Sequence, residues 1–113
     1  MKGVKIGLVG AGNIGQRHIM AIDYLEEAQL IAFADPSEGA HQQARARDIP
    51  CYKSAQEMLE KEALDAVIIA TPTARHFDDV SLCISAGCKH ILVEKPIAAS
   101  DEEAAAITYQ AEQ

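Results

Sequence analysis

The sequence predicts a doubly wound α/β fold, in which helices cover both faces of a parallel sheet of about five strands in the order 3-2-1-4-5. Two observations lead to this prediction. Short β-branched stretches alternate with longer segments of helical spacing, and such alternation is typical of parallel sheets joined by right-handed helical crossovers. In addition, a glycine-rich segment lies between the first strand and the first helix, where it fits a tight strand-to-helix turn.

Five stretches are predicted as strands from their apolar residues, β-branched in several of them, and from the turn residues that flank them. Asp35-Pro36 ends the second strand, and Thr71-Pro72 ends the fourth. The fourth is apolar throughout after its first residue, as expected for a strand that is buried on both faces of a sheet. The predicted strands are Val4–Val9, 30–34, 50–53, 65–70 and 90–93.

The first helix is predicted over residues 14–27, because apolar residues recur there at helical spacing. We expect one face of this helix to pack against the sheet. The residues expected on that face are Ile14, His18, Ala21, Ile22 and Leu25.

The other helices are predicted largely from their ends. Ser37 caps a polar, alanine-rich helix that runs to about residue 48. Ser54 and Ser100 each precede a glutamate by three residues, the pattern of a capping box that satisfies two free N–H groups reciprocally. The box at Ser54 opens a brief helix. Another helix, with Phe77, Val80 and Ile84 as its apolar stripe, ends at Gly87, where a left-handed cap belongs. The last helix is expected to reach residue 113.

Composition bounds the class of protein. The chain has 113 residues, of which 49% are hydrophobic and 24% are charged, and its formal net charge is −7. These values suit one domain of about 100–150 residues and argue against disorder. The apolar run 66–70 is far shorter than the roughly 20 residues of a membrane span. The acidic balance argues against sequence-independent binding to nucleic acid or anionic membranes, so we expect neither partner.

Three cysteines, Cys51, Cys83 and Cys88, show no C-x-x-C spacing. An odd set of unpaired thiols is typical of a reducing compartment, so the sequence favours free thiols in a cytoplasmic protein. The histidines and acids also lack metal-ligand spacing such as H-x-x-x-H. We therefore expect no metal site.

The segment Gly10-Ala11-Gly12-Asn13-Ile14-Gly15 has the pattern G-x-G-x-x-G directly between a predicted strand and helix. This context is typical of a dinucleotide-binding Rossmann fold. The first glycine would permit a tight turn, the second the approach of a pyrophosphate, and the third close packing of helix and strand. The helix N-terminus would present free N–H groups to the phosphates. The residues predicted to bind cofactor here are Gly10, Gly12, Asn13, Ile14 and Gly15.

Asp35 follows Gly15 by 20 residues, at the end of the second predicted strand. A carboxylate at that place hydrogen-bonds the hydroxyls of an adenosine ribose. A 2′-phosphate would meet like charge, which costs about 4 kcal/mol for one pair at 4 Å and an effective dielectric constant of 20. Because Pro36-Ser37-Glu38 supplies no arginine to offset this repulsion, we expect NAD to be preferred over NADP.

Two later segments make the pattern more specific. They are Ala70-Thr71-Pro72-Thr73-Ala74-Arg75-His76 after the fourth strand and 86–96, which ends in Glu94-Lys95-Pro96 after the fifth. Together with the glycine loop they resemble the Gfo/Idh/MocA oxidoreductases, the group named for glucose–fructose oxidoreductase and inositol dehydrogenase. The resemblance covers essentially the whole chain. The sequence departs from the family pattern at Thr73, where the family usually has asparagine.

The resemblance implies roles for five further residues. Thr71 and Pro72 match residues that line the cofactor, and His76 matches a recurrent histidine of the family. Glu94 matches a residue beside the nicotinamide ribose. Lys95 matches the lysine that reaches the substrate hydroxyl, where an amine can polarise the hydroxyl or transfer its proton. We therefore predict Lys95 as catalytic and all five residues as cofactor-binding.

The resemblance also implies a function. We expect residues 1–113 to form the NAD(H)-binding domain of an enzyme that transfers hydride between the nicotinamide and a sugar or polyol hydroxyl. We expect residues 1–113 to lack the family's second, substrate-binding domain, and therefore expect no turnover from them alone. An open sheet edge or uncovered interface favours a homo-oligomer.

Two other interpretations stay open. The chain fits a free-standing NAD(H)-binding sensor or an accessory subunit that another chain completes. It also fits a module for another adenosine ligand such as S-adenosylmethionine, although that leaves Glu94-Lys95-Pro96 unexplained. The sequence does not distinguish among inositol, hexose, nucleotide-sugar and amino-sugar-acid substrates.

Overall fold

The computed structural model describes residues 3–88 and 90–93. None of the helices in these ranges is long and apolar enough to cross a membrane. The elements, in chain order, are β1 Val4–Val9, α1 Asn13–Asp23, β2 Ala28–Ala34, α2 Glu38–Ala46, β3 Cys51–Tyr52, α3 Ala55–Lys61, β4 Ala66–Ile69, α4 Thr73–Ser85 and β5 Ile91–Val93.

The five strands form one parallel sheet in the order β3-β2-β1-β4-β5. The predicted fold class and strand order are therefore confirmed. β1 is central, between β2 and β4, so the chain moves outward from it in both directions. In a doubly wound sheet this is the point where connections leave to opposite faces, and a crevice opens at the carboxyl ends of the strands.

Side-chain alternation along the strands divides the core between the two faces of the sheet. One cluster packs beneath α1 and α2: Ile6, Leu8, Ala11, Ile19, Ile22, Leu30, Phe33, Ala40, Ala44 and Ile68. The other packs beneath α3 and α4: Val9, Ala32, Ala34, Ala55, Met58, Val67, Ile69, Val80 and Cys83.

The first helix differs from its prediction in length and in its buried face. α1 ends at Asp23, four residues before the predicted end, and Leu25 is 57% exposed. Among the α1 side chains that the structure describes, Ile19 and Ile22 are buried, whereas Ala21 is exposed. Leu25 lies beyond the end of α1, in the connection to β2.

The predicted helix caps are confirmed within the described residues. Ser37 Oγ accepts a hydrogen bond from the Ala40 amide, and Ser54 Oγ accepts one from the Glu57 amide, each at 3.2 Å. Gly87 has φ +86 and ends α4 in the predicted left-handed conformation. The helix predicted from Ser100 lies outside the described residues.

α2 ends in a Schellman turn that holds a non-glycine residue in the left-handed region. Asp48 has φ +58, its amide bonds to the Arg45 carbonyl at 3.1 Å, and the Ile49 amide bonds to the Ala44 carbonyl at 3.0 Å. This is the hydrogen-bond pattern of a cap that favours glycine. The left-handed conformation costs an L-residue about 1–2 kcal/mol, less for aspartate than for most others.

Replacing Asp48 by glycine should therefore stabilise the fold. Glycine removes the backbone strain at this position but raises the entropy of the unfolded chain, which costs about 0.4–1 kcal/mol. Because the strain energy is larger than this cost, we expect the free energy of unfolding to rise by about 0.5 kcal/mol. Urea unfolding of the wild type and Asp48→Gly measures this gain, with Asp48→Ala as a control that should be destabilised. Equal or lower stability of the glycine variant would contradict the strain argument.

Candidate functional site

A cleft of about 610 Å³ opens at the carboxyl ends of β1, β2 and β4. It contains the predicted site residues Gly10, Gly12, Asp35, Thr71 and Pro72 in one place, although they come from three separate segments of the chain. The other lining residues are Val9, Ala34, Pro36, Lys53, Ser54, Ala55, Ala70, Arg75 and Asp79.

The three loop glycines meet different constraints. Gly10 has φ +90, and a Cβ atom there would lie 2.9 Å from the backbone of Ala70. A Cβ atom on Gly15 would overlap the carbonyl oxygen of Gly10. A Cβ atom on Gly12 would meet no protein atom within 4 Å. Gly10 and Gly15 are thus required by the fold itself, whereas Gly12 leaves open space on the cleft side of the loop.

The N-termini of α1 and α4 have no side-chain cap, in contrast to those of α2 and α3. The N-cap residues of α1 and α4 are Gly12 and Pro72, and neither forms a capping hydrogen bond through its side chain. α2 and α3 are capped by Ser37 and Ser54. Uncapped N–H groups and the positive end of the helix dipole attract anions. The cleft therefore receives two helix ends suited to phosphate.

The Asp35 carboxylate is held by two backbone amides. Oδ2 accepts a hydrogen bond from the Ala11 amide and Oδ1 accepts one from the Ser37 amide, each at 2.8 Å. Burial raises the pKa of Asp35, but these two hydrogen bonds, together with one from the Ser37 side chain and the charge of His41, outweigh burial, so its pKa lies below the usual value of 3.8. Each oxygen of an ionised carboxylate can accept a further hydrogen bond, so the group stays able to bind hydroxyls in the cleft.

The Ala11 carbonyl is held by Gln16, which sequence reasoning did not single out. Gln16 Nε2 lies 3.0 Å from the Ala11 carbonyl and 2.6 Å from Gln43 Oε1 of α2. The glycine loop is thereby connected to both β2 and α2. No local sequence pattern indicates this contact, because Gln43 is 27 residues away in the chain.

A second polar cluster lies on the α4 side of the cleft. Thr71 Oγ1 donates to Asp79 Oδ2 at 2.6 Å, and Arg75 Nη2 lies 3.6 Å from Asp79 Oδ1. His76 is 1% exposed, and its Nε2 donates to the Thr71 carbonyl oxygen at 2.8 Å. The structure thus places His76 behind Thr71 and outside the cleft lining, where it supports Thr71. Asp79, Arg75 and Lys53 are lining residues that sequence reasoning missed.

Some predicted site residues are described in part or not at all. Asn13 and Ile14 begin α1, next to the glycine loop. Glu94 and Lys95 lie outside the described residues. Within residues 3–88 and 90–93, no three histidine, cysteine or acidic side chains are grouped so that they could hold a metal ion.

Known proteins resemble the chain along most of its length. The model of an oxidoreductase family with an NAD-binding Rossmann fold, GFO_IDH_MocA, matches residues 4–113. Rhizopine catabolism protein MocA of Rhizobium meliloti is 37% identical over 100 residues, which make up 88% of this chain and 31% of that protein. scyllo-Inositol 2-dehydrogenase (NAD(+)) of Bacillus subtilis (strain 168) is 36% identical over 107 residues, which make up 91% of this chain and 31% of that protein.

Solved structures agree with this match. The WlbA dehydrogenase from Bordetella pertussis, crystallised in complex with NADH and UDP-GlcNAcA, has a TM-score of 0.91 and 30% identity, over 99% of this chain and 33% of that one. The chain therefore spans about a third of the length of the relatives it matches. Family resemblance and cofactor class, as predicted from the motifs, are confirmed.

The hydrogen bonds to Asp35 make the stability of the fold depend on pH. Because the pKa of Asp35 is lowered by folding, its stabilising contribution is fully present above the unfolded pKa and is lost as pH falls through the folded pKa. We expect the wild type to exceed Asp35→Asn in unfolding free energy by a constant margin between pH 5 and pH 7, and by less below about pH 4. Chemical denaturation across this range measures the margin.

Asp78→Asn, at an exposed position of α4 outside the cleft, is the matched control. A margin for Asp35→Asn that stays constant down to pH 2 would show that the carboxylate is not held as the structure has it.

Proposed function

Because the chain belongs to the Gfo/Idh/MocA oxidoreductase family and matches the family's NAD-binding Rossmann domain, we propose that it binds the NAD(H) of a dehydrogenase that acts on a sugar or polyol hydroxyl. When bound, the nicotinamide accepts a hydride from the substrate carbon or returns it. The observation that carries the proposal is the pairing, in one cleft, of an uncapped helix N-terminus with a fixed carboxylate at the end of the neighbouring strand.

The glycine loop is the proposed pyrophosphate site. Gly12 is exposed, and the space where its Cβ would lie is open. The N–H groups of the first turn of α1 have no side-chain cap, so phosphate oxygens can accept their hydrogen bonds. Asn13 and Ile14 belong to this turn, and Gly15 lets it lie against the end of β1. This local arrangement explains how a chain with a net charge of −7 can bind an anionic cofactor.

Asp35 is the proposed partner of the adenosine ribose. Its two oxygens are oriented by the Ala11 and Ser37 amides and lie at the wall of the cleft. A 2′-hydroxyl would donate to this carboxylate, whereas a 2′-phosphate would be repelled by it. Asp35 thus supports selection of NAD over NADP.

Thr71 and Pro72 are the proposed contacts beyond β4, and His76 would act through the Thr71 carbonyl that it hydrogen-bonds. For Glu94 and Lys95 the support is the match to the family motif. On that basis Glu94 would contact the nicotinamide ribose. Lys95 would take the proton of the substrate hydroxyl as hydride leaves its carbon, which avoids a build-up of negative charge on that oxygen.

The part of the enzyme that binds substrate would determine which sugar or polyol is used. Relatives about three times as long as this chain support a second region that completes the site, so we expect cofactor binding without turnover from residues 1–113. A homo-oligomer and a cytoplasmic location are further parts of the proposal. Their support is the 54% exposed Leu92 on the edge strand β5 and three free cysteines.

Asp35→Ala should reduce the preference for NAD. NAD and NADP share the pyrophosphate, and the variant removes the hydrogen bond between Asp35 and the Ala11 amide in both complexes. The ratio of the two affinities therefore reports the effect at the 2′ position. We expect the NAD/NADP affinity ratio to fall at least about tenfold, corresponding to 1.4 kcal/mol, since the repulsion removed is up to about 4 kcal/mol. Calorimetric titration with both cofactors gives the ratio, with Asp78→Ala as a control. An unchanged ratio would remove Asp35 from the ribose site.

Gly12→Val should abolish cofactor binding and leave the fold intact. A Cβ atom at Gly12 would meet no protein atom within 4 Å, but the valine side chain would fill the space proposed for the pyrophosphate. Gly39→Val is the matched control, because a Cβ atom there also meets nothing within 4 Å and Gly39 is outside the cleft lining. NAD titration and circular dichroism check both variants. A folded Gly12→Val chain that binds NAD normally would show the loop to be structural alone.

A further inference from the structure

Arg75 is a cation at the cleft that has no role in the pyrophosphate site proposed at the glycine loop. It lines the same cleft as Gly10 and Gly12 and lies in the first turn of α4. Its side chain is 65% exposed, whereas the side chain of Asp79, its partner, is 3% exposed. The carboxylate is therefore fixed in the wall, and the guanidinium extends from it into solvent at the cleft.

The contact between the two groups leaves most of the guanidinium unengaged. Arg75 Nη2 lies 3.6 Å from Asp79 Oδ1, whereas a charge-assisted hydrogen bond is about 2.7–2.9 Å long. The other carboxylate oxygen of Asp79 accepts from Thr71 Oγ1 at 2.6 Å. A guanidinium has five N–H donors, so Asp79 can keep Arg75 near the cleft while donors remain for a second anion.

The position of Thr71 indicates which anion Arg75 can reach. Its Cγ2 atom lies 3.0 Å from the place where a Cβ atom of Gly10 would be, so the polar cluster on α4 adjoins the glycine loop. Lys53, the other basic residue among the described lining residues, follows β3 on the Asp35 side. Asp35 and Asp79 also bring two carboxylates to the cleft, which would oppose a pyrophosphate unless a cation lay beside it.

We propose that Arg75 binds the pyrophosphate of the cofactor opposite the N-terminus of α1, and that Asp79 holds it within reach before the cofactor arrives. This inference rests on the proposed function of the cleft. Arginine suits the task because its planar fork can donate two parallel hydrogen bonds to phosphate oxygens. The cofactor would then lie between two sources of positive potential, one from backbone N–H groups and one from this side chain.

The test compares three ligands with the 113-residue chain by calorimetry: NAD, ADP-ribose and adenosine. For Arg75→Gln we expect about a tenfold loss of affinity for NAD and ADP-ribose at low ionic strength, and no change for adenosine, which lacks the pyrophosphate. Near 1 M salt, where the Debye length is about 3 Å, the difference from wild type should shrink. Arg75→Lys should restore part of the loss, because it keeps the charge and loses the fork.

Arg45→Gln is the matched control, because Arg45 is also 65% exposed and also pairs with one carboxylate, Glu38 at 3.1 Å, but lies outside the cleft lining. Circular dichroism checks folding. If Arg75→Gln does not fold, Arg75→Met, which keeps an unbranched apolar stem, replaces it in the titrations. Wild-type affinity for NAD in a folded Arg75 variant overturns the inference and leaves the proposed function standing. A wild-type chain that binds neither NAD nor ADP-ribose overturns both.

Discussion

The contact between Gly15 and the carbonyl oxygen of Gly10 is the constraint on which the site depends. No side chain fits between them, so the first turn of α1 lies directly against the end of β1. This contact brings the start of α1 against the sheet, and Ile19 and Ile22 of the same helix are buried in the core. It also directs the uncapped N-terminus of α1 into the cleft. One steric requirement thereby positions both a core face and an anion-binding helix end.

Polar contacts then hold the loop that this packing creates. The Ala11 amide donates to Asp35, and Gln16 lies within hydrogen-bond distance of the Ala11 carbonyl. Gln43 extends the connection to α2. Both backbone polar groups of Ala11 are therefore satisfied by side chains, as a buried residue requires. The same carboxylate that we assign to the ribose also orders the loop assigned to the pyrophosphate, so the two halves of the cofactor site are mechanically coupled.

The helices divide into two kinds according to their ends. Ser37 and Ser54 cap α2 and α3, and such caps contribute about 1 kcal/mol each. α3 also begins at the cleft, where Ser54 lies, but α1 and α4 lack side-chain caps there. The uncapped N–H groups are available to hydrogen-bond an anion, and the unliganded fold lacks the stabilisation that a cap would contribute. Binding of cofactor should therefore stabilise the domain by occupying these helix ends.

The order of elements, the parallel sheet, the helix caps and the residues of the glycine loop follow from local patterns, because strand and helix periodicity and glycine sterics act over a few residues. Asp35 was likewise identified from its spacing. Only the tertiary structure joins Gln16 to Gln43, places the buried Asp79 beside Arg75, and puts His76 behind Thr71. Each of these arrangements depends on how whole elements rotate and pack against the sheet. Side-chain partners are decided there by steric fit, which the periodicity of a single segment does not encode.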